Sequence, residues 1–171
     1  MTHVIESPRV ADAELLGPLE LASWLETYPW PDAGIDEEWI RAQRGDAATE
    51  VGIGRWRAFL QGVEAEPERW FCRVARADAG PVGFLCGGRD GVVTLGPMYL
   101  LAGAQQQGLG GQLMAEFLAW AGGAPIKLWV AEYNERAIGF YRRYGFRPTG
   151  ERELWRGRLP NLRMVRETAR S

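Results

Sequence analysis

AGAQQQGLGGQLMAEFLAWAGG, residues 102–123, places three glutamines and three glycines directly before an apolar run. The apolar residues recur every three or four positions, at Leu109, Leu113, Phe117 and Trp120. This spacing predicts a helix with one face on a core. The first N–H groups of such a helix have no partner within it, and its dipole places partial positive charge there. Because the glycines leave that backbone bare, the stretch favours a phosphate-bearing ligand at the helix start.

Two common phosphate motifs are excluded by the residues that follow the glycines. A P-loop requires Gly-Lys and then Ser or Thr, whereas Gly111 is followed by Gln112. A dinucleotide fingerprint requires a third glycine where this chain has Leu113. A plain nucleotide-binding domain is therefore disfavoured. From the residues alone, two interpretations stay open: a backbone cradle for a pyrophosphate, and a tight turn that lets the helix pack closely on a sheet.

Length and charge limit the possible classes of protein. The chain has 171 residues, of which 46% are hydrophobic and 25% charged, and this predicts a single domain over residues 1–171. A formal net charge of -2 gives no electrostatic footprint for nucleic acid. No stretch approaches the roughly 20 apolar residues of a membrane span, and the N-terminus lacks the regions of a signal peptide. We therefore expect a cytoplasmic protein with no nucleic-acid or membrane partner.

Cysteine and histidine are scarce, and this scarcity excludes several chemistries. The two cysteines, Cys72 and Cys86, form no disulfide framework, although they could face each other across a hairpin, and whether they ever pair stays open. The one histidine, His3, lies at a terminus that we expect to fray. With so few ligands we expect no metal site. A Ser-His or Cys-His nucleophile is also disfavoured, since His3 would have to be its base.

The patterns predict a helical first part, over residues 1–69, and a sheet with two helices over 70–171. Helical patterns cover 9–28, with a break near Pro18, and 36–62 as one or two helices. Strands follow at 70–77, 81–88, 92–101 and 125–133, then a helix at 134–145 and a hairpin over 146–167 that turns near Leu159–Asn161. Pro97 lacks a ladder donor and indicates a bulge or break. The order predicts a mixed α/β fold with a right-handed parallel crossover from Val92 to Tyr133.

MYLLAGAQQQGLGGQLM, residues 98–114, resembles the cofactor motif of the GNAT superfamily of N-acetyltransferases. The core of that motif, Gln/Arg-x-x-Gly-x-Gly/Ala, is met by Gln105, Gly108 and Gly110. The resemblance implies a central mixed sheet of six to seven strands flanked by helices, with splayed middle strands that form the cofactor cleft. It also implies acetyl-CoA as co-substrate. Loop amides would bind the pyrophosphate and the preceding strand the pantetheine arm, which gives the cofactor-binding residues Leu100, Leu101, Gln105, Gln106, Gln107, Gly108, Leu109, Gly110 and Gly111.

LWVAEYNERAIGFYRRYGFRPTGE, residues 128–151, resembles a later motif of the same family. The matching positions are Asn134, Ala137, Tyr141, Gly145 and Phe146, and the first three join the cofactor-binding set. The local chemistry agrees, because Asn134 suits a helix N-cap and Gly145 a left-handed terminator.

The chain departs from the family pattern in the glycine loop. The family often has Pro at the position of Ala102, and Arg or Lys near Gln105–Gln107. The three glutamines supply no charge, so amides and the helix dipole would hold the phosphates, with help from Arg142 or Arg143.

The resemblance assigns catalytic roles to Tyr141 and Leu100. The Tyr141 phenol would donate a proton to the departing thiolate, and the other interpretation is that Tyr141 is a core aromatic. The main-chain N–H of Leu100 would bind the developing oxyanion. The strand before the loop carries no carboxylate, so the base is open. Glu132 is the nearest candidate in the sequence, and the others are Tyr99 through a water, Glu37, Glu38, or no strong base at all.

The acceptor is expected on the helical side of the chain. SWLETYPWPDAGIDEEW, residues 23–39, mixes aromatic rings with Glu26, Asp32, Asp36, Glu37 and Glu38, which suits a cationic small-molecule amine. The substrate-binding candidates are Trp24, Tyr28, Trp30, Asp36, Glu37 and Tyr99. The same segment could instead be core rings and solvated acids.

The sequence thus predicts an N-acetyltransferase that moves the acetyl group directly to a primary amine in a ternary complex. Two other functions stay open: a non-catalytic acyl-CoA-binding regulatory module, and acetylation of a protein or peptide amine. A homodimer is suggested by the family resemblance alone.

Overall fold

In the computed structural model, residues 2–168 are described, so the predicted domain bounds of 1–171 include four terminal residues outside that range. The helices are α1 (Ala13–Thr27), α2 (Glu37–Arg44), α3 (Glu50–Ala65), α4 (Leu109–Ala121) and α5 (Glu135–Arg143). The strands are β1 (Val4–Glu6), β2 (Trp70–Ala77), β3 (Gly80–Asp90), β4 (Val92–Leu100), β5 (Ile126–Ala131), β6 (Arg147–Trp155) and β7 (Leu159–Arg166).

Within residues 2–168, one seven-stranded sheet has the order β1-β2-β3-β4-β5-β7-β6. Neighbouring strands are antiparallel except β4 and β5, which are parallel and are joined through α4. A parallel pair needs such a crossover connection, whereas the other pairs can be joined by hairpins. The predicted mixed sheet flanked by helices is confirmed.

The two middle strands diverge, as predicted. β4 and β5 pair at Val93–Ile126 and Thr94–Lys127, where both strands begin. Just beyond, the register between β3 and β4 shifts, so that Gly96 and Pro97 lie opposite Cys86. This is the bulge that Pro97 predicted, and an extra residue in one strand bends it and increases its twist. β4 therefore turns away from β5 and leaves a cleft between the strand ends.

Helices cover both faces of the sheet. α4 lies on one face, where Leu113 and Phe117 are fully buried against Phe71 and Leu85. α1 and α3 lie on the other face, where Leu16 and Leu60 pack with Phe84. Burying side chains of this size contributes about 1.5–3 kcal/mol each. These two layers hold the edges of the cleft in place.

Two expectations from the sequence were wrong in detail. α1 runs through Pro18 without a break, because Leu16 and Leu19 are buried on either side of it and their packing offsets the lost hydrogen bond. The final turn lies at residues 156–158 rather than Leu159–Asn161. Arg156 and Gly157 have positive φ there, while Leu159 is buried in the core.

The terminus at His3 was expected to fray, but the residues that follow it form a strand. Val4–Glu6 form an edge strand on β2, and Arg76 of β2 forms ion pairs with Glu6 and Asp12. A strand of three residues is too short to show a periodic pattern in the sequence.

The two cysteines face each other across the β2–β3 hairpin, as expected. Cys72 and Cys86 are direct partners in the ladder, and their Sγ atoms lie 3.6 Å apart as free thiols. Burial raises the pKa of the Cys86 thiol well above its ordinary value. No helix among the described residues is long and apolar enough to cross a membrane. Within residues 2–168, no group of three or more His, Cys, Asp or Glu could hold a metal ion.

Candidate active site

A cavity of about 680 Å³ occupies the opening between β4 and β5. Its walls come from the end of α1, the diverging part of β4, the start of α4, and one face of α5. The lining includes Glu26, Tyr28, Gly96, Pro97, Tyr99, Leu100, Gln105, Gln106, Gly108, Gly110, Gly111, Trp129, Asn134, Arg136, Ala137, Phe140, Tyr141, Arg143 and Tyr144. The bulge, the glycine loop and the later motif of the sequence therefore meet at one site.

The glycine loop presents bare backbone to this cavity. Gly108 is the N-cap of α4 with φ 77° and no side-chain cap, and Gln106 also has a positive φ, of 67°. The first N–H that bonds back into the helix is that of Gln112, to the carbonyl of Gly108 at 3.1 Å. The N–H groups of residues 109–111 precede it and cannot have a partner within the helix. A Cβ on Gly111 would lie 3.1 Å from the Tyr144 hydroxyl, so that glycine allows close packing against α5.

The glutamines of the loop bind its own carbonyls. Gln105 Nε2 donates to the carbonyl of Leu100 at 2.8 Å, and Gln107 Nε2 donates to that of Gly103 at 3.1 Å. These bonds fix the loop shape with side chains that carry no charge. The loop amides are left for a ligand.

The main chain of Leu100 faces the cleft. The N–H of Leu101 donates to Val82 on β3 at 2.9 Å. Because bonded and non-bonded positions alternate along an antiparallel pair, the N–H and carbonyl of Leu100 point to the other side, away from β3. The carbonyl is taken by Gln105, whereas the N–H faces the opening.

α5 forms the opposite wall, and its sequence explains its placement. Asn134 caps the helix, with its Oδ1 accepting from the N–H of Ala137 at 3.2 Å, as predicted. Gly145 follows the last turn with φ 89°, and Phe146 is fully buried. The helix thus begins and ends as its sequence indicates, and it directs Tyr141 into the cavity.

Tyr141 is 8% exposed and lies in the cavity wall. Burial, and to a smaller degree the nearby Tyr28, raises the pKa of its phenol above the ordinary value of about 10. The phenol therefore holds its proton throughout the physiological range and can donate it. Its position fits both interpretations of the sequence, since it is a core aromatic with one edge in the cavity.

Two cations lie in the lining: Arg136 was missed in the sequence, and Arg143 is one of the two arginines that were expected to help hold the phosphates. Arg136 and Arg143 lie on α5 and border the cavity, and Arg143 also stacks on Phe140 at 5.7 Å. Of the two candidates suggested for countercharge, Arg143 lines the cavity and Arg142 does not. The signal was available, because residues 136, 140 and 143 have the spacing of one helix face.

Two phenols, those of Tyr28 and Tyr99, line the cavity on the side of α1, and we call this side the phenol wall. The hydroxyls of Tyr28 and Tyr99 lie 3.0 Å apart, and Tyr133 donates to the carbonyl of Tyr28 at 2.7 Å. Burial raises the pKa of the Tyr28 and Tyr99 phenols, and it raises the pKa of Tyr133 to about 12. Glu26, which precedes Tyr28 on the last turn of α1, also lines the cavity.

The remaining candidate residues lie away from the cavity lining. Trp24 is 6% exposed and packs on Tyr28 and Trp155, while Trp30 packs on Tyr133 at 4.9 Å. The Trp24 ring thus packs against one phenol of the cavity lining, and the Trp30 ring against Tyr133.

The acidic candidates Asp36, Glu37, Glu38 and Glu132 also lie outside the cavity lining. Asp36 caps α2 by accepting from the N–H of Trp39, and Glu37 pairs with Arg41 on the same helix. Glu132 pairs with Arg152 of β6, and Glu38 is exposed. Of the predicted cofactor contacts, the side chains of Leu101, Gln107 and Leu109 are also outside the lining, so any contact they make would be through the main chain.

The comparisons with known proteins match this architecture. Residues 67–148 match the family model of the acetyltransferase (GNAT) domain. These residues are therefore similar to a GNAT acetyltransferase domain. The matched range contains β2 to β5, the glycine loop, α4 and α5, which together build the cofactor-side walls of the cavity.

Similar proteins extend the comparison. A probable N-acetyltransferase of Mycobacterium tuberculosis is 29% identical over 91 residues, which are 51% of this chain and 52% of that protein. The chain thus spans about half the length of this curated relative. The fold is similar to that of PaiA N-acetyltransferase from Thermoplasma acidophilum in complex with coenzyme A, with a TM-score of 0.77 and 20% identity over 99% of this chain and 100% of that one.

A protein-modifying enzyme shares the GNAT fold too. The ribosomal-protein-S18-alanine N-acetyltransferase of Escherichia coli has a TM-score of 0.61 and 18% identity, over 99% of this chain and 97% of that chain. The shared fold therefore does not specify the acceptor.

Proposed function

We propose that the protein is an acetyl-CoA-dependent N-acetyltransferase that acts on a primary amine of a small molecule. The observation that carries this proposal is the cleft between β4 and β5, which joins a bare helix N-terminus to a buried, protonated tyrosine. The matched domain and the coenzyme A complex of the PaiA structure support the choice of co-substrate.

The residues present fit acetyl-CoA. Free N–H groups at residues 109–111 and the positive end of the α4 dipole suit a pyrophosphate. Arg136 and Arg143 add the positive charge that the three glutamines lack. The cavity of about 680 Å³ lies in the range usual for small-molecule sites.

When bound, acetyl-CoA would supply an acetyl thioester. The N–H of Leu100, which faces the cleft, would donate to the carbonyl oxygen as negative charge develops on it. A new C–N bond forms as the C–S bond breaks, and the Tyr141 phenol would give its proton to the departing sulfur. The nitrogen loses one proton in exchange, so Tyr141 can be reprotonated in the net reaction.

The general base that would deprotonate the amine is also a proposal, with fewer candidates than the sequence offered. Glu132 pairs with Arg152 and Glu37 with Arg41, and neither residue lines the cavity. Tyr99 lines the cavity beside Tyr28 and could pass a proton through water. An amine that is already neutral in solution would need no strong base.

The contacts around the acceptor side favour a small molecule over an extended peptide. Arg158, in the β6–β7 turn, donates to the carbonyl of Gly34 at 2.7 Å, in the loop between α1 and α2. Tyr133 binds the carbonyl of Tyr28 near the start of the same loop. These bonds bridge the loop to the sheet beside the phenol wall, which limits the room for a chain crossing it.

The test combines binding and turnover. Calorimetric titration with acetyl-CoA should show binding, and thiol release should rise when small primary amines are added. Binding without thiol release from any amine would instead favour the non-catalytic acyl-CoA module. Release confined to peptides with a free N-terminus would favour acetylation of proteins. The cytoplasmic location and the homodimer stay predictions, to be tested by fractionation and by light scattering.

A further inference from the structure

The acceptor end of the cavity contains one carboxylate whose role the proposed function leaves open. Glu26 is the single acidic residue among the described residues that line the cavity. It lies on the last turn of α1, which ends at Thr27. Its Oε2 accepts from the main-chain N–H of Ala102 at 2.9 Å. This bond fixes the carboxylate beside the end of β4.

The negative charge of Glu26 has no cationic partner. Within residues 2–168, no ion pair involves Glu26, whereas Glu37 pairs with Arg41 and Glu132 with Arg152. A backbone N–H occupies one carboxylate oxygen and leaves the other free to accept. The Glu26 side chain is exposed, so a cationic ligand can reach it from solvent and would gain the attraction between opposite charges.

The neighbours of Glu26 suit a cation. Tyr28 lies two residues along, with its hydroxyl 3.0 Å from that of Tyr99 and the two rings edge-to-face at 6.2 Å. Both hydroxyls keep their protons, since burial raises the pKa of both phenols, and their oxygens can still accept a hydrogen bond. Phenol rings also attract an ammonium through their faces.

The positive and the negative side chains lie on different walls of the cavity. Arg136 and Arg143 are contributed by α5, which faces the glycine loop, and Glu26 by α1 on the acceptor side. An anionic ligand is thus favoured on one wall and a cationic one on the other. This separation indicates where an acceptor with positive charge would lie.

The chain also limits the distance from Glu26 to the reacting centre. Ala102 follows Leu100 by two residues, which span at most about 7 Å of extended backbone. Glu26 lies one hydrogen bond beyond Ala102. The carboxylate therefore lies no more than about 10 Å from the N–H of Leu100, a distance that the carbon chain of a diamine or polyamine can span.

We infer that Glu26 binds an ammonium group of the acceptor, which is a diamine or polyamine. The reacting amine must be neutral when it attacks, so the charge held by Glu26 belongs to a second amine on the same molecule. The inference rests on the proposed function, which it makes specific by naming the substrate class. Glu26 is then the residue that selects the acceptor.

The test compares two molecules that differ in one amine, butane-1,4-diamine and n-butylamine. The wild-type kcat/KM should favour the diamine by about 10–100-fold, as expected for a charge-assisted hydrogen bond. In Glu26→Gln the amide oxygen can still accept from Ala102, but the charge is gone, and the ratio should fall towards one. Glu14→Gln, which removes an exposed carboxylate from the first turn of α1, outside the cavity lining, is the matched control and should keep the wild-type ratio.

A second readout does not depend on turnover. Calorimetric titration of butane-1,4-diamine into the protein should give binding that Glu26→Gln weakens and Glu14→Gln does not. Equal affinity in wild type and Glu26→Gln, or no diamine binding to wild type, would overturn the inference. Failure of the proposed function is distinguished from this by titration with acetyl-CoA, which tests the other wall.

Discussion

Tyr141 is the residue on which the proposed chemistry depends. It is held between Phe140 and Phe146, with ring centroids 5.6 and 5.7 Å away, and its edge reaches the cavity. Burial in this aromatic setting raises its pKa, which keeps the proton on the phenol throughout the physiological range. The phenol would donate a hydrogen bond, and then its proton, to the sulfur as the C–S bond breaks.

Replacing Tyr141 by Phe keeps the ring and removes the proton. We expect kcat to fall by about 10²–10⁴-fold, the usual range for general acid catalysis, with little change in the affinity for acetyl-CoA. The measurements are steady-state thiol release and calorimetry. Tyr144→Phe is the control, because Tyr144 lines the same cavity just after the end of α5. Its kcat should stay near that of the wild type. A Tyr141→Phe enzyme with the wild-type kcat would reduce Tyr141 to a core aromatic.

Single residues were predicted from the sequence when a local rule applied to them. Asn134 is the N-cap of α5, and Gly145 follows its last turn with a positive φ. Both roles depend only on neighbouring residues in the chain, which were enough to assign them. Glu26 could not be assigned in this way, because its role depends on Ala102, which is 76 residues away in the chain. No spacing in the sequence brings those two positions together.

At the scale of elements, the glycine loop and α5 form the two walls that would hold the co-substrate. The loop supplies N–H groups and the helix supplies Arg136 and Arg143. The loop was recognisable because its composition is unusual before a helix. Arg143 was named from the sequence beside Arg142, whereas Arg136 was not selected, because a charged residue on a helix is usually solvated.

Gly110→Glu tests the loop. The added carboxylate would repel a pyrophosphate and extend over the bare amides, so acetyl-CoA affinity should fall below detection while the fold is kept. An added Cβ itself meets its nearest neighbour, a Phe140 ring carbon, at 3.4 Å, which is an ordinary contact. Circular dichroism checks the fold and calorimetry the affinity. Gly139→Glu, on α5 with open space around it, is the control. Full affinity in a folded Gly110→Glu protein would contradict the assignment.

Two adjacent arginines of α5 test whether a positive charge in the cavity lining helps to bind the phosphates of acetyl-CoA. Arg143→Ala should weaken acetyl-CoA binding several-fold and reduce its dependence on salt, because Arg143 lines the cavity. Arg142→Ala removes the same charge one position earlier, outside the lining, and should have a much smaller effect. Titrations at low and high salt give both quantities. Equal losses in the two variants would mean that general charge, not a contact, decides the affinity.

At the scale of the whole molecule, the divergence of β4 from β5 organises everything else. It places the loop, the bulge and α5 around one cavity, and it separates the cationic wall from the acidic one. The sheet also buries four phenols near one another, those of Tyr28, Tyr99, Tyr133 and Tyr141, and burial raises the pKa of each.

This cluster of phenols predicts how stability depends on pH. The unfolded chain releases these protons from about pH 10, whereas the folded protein keeps them to higher pH. The unfolded state therefore binds fewer protons above about pH 10, and the free energy of unfolding should fall as pH rises from there through the folded pKa values. Urea unfolding at about pH 9 and about pH 11, on either side of the ordinary phenol pKa, measures this. Tyr133→Phe should flatten the decline, and a stability that is constant across this range would contradict the expectation.

Much of the overall fold followed from patterns along the chain. The strands at 70–77 and 92–101, the crossover helix and the bulge at Pro97 were predicted, since each has a strong local signal, and the structure differs only in ending the second strand at Leu100. The edge strand β1 was missed, and Trp24 and Asp36 were predicted to contact the substrate but lie in the core and at a helix cap. Pairing at a sheet edge and the direction of a side chain are set by tertiary contacts, which a sequence pattern does not contain.

The fate of the acetyl group itself decides whether the cleft is an acetyltransferase site. The wild-type protein is mixed with acetyl-CoA labelled in its acetyl group and with a panel of small amines, and the products are analysed by mass spectrometry. We predict a labelled N-acetyl amine and free thiol in equal amounts, both lost in Gly110→Glu. Tight binding of acetyl-CoA with no label on any amine would contradict the proposed transfer.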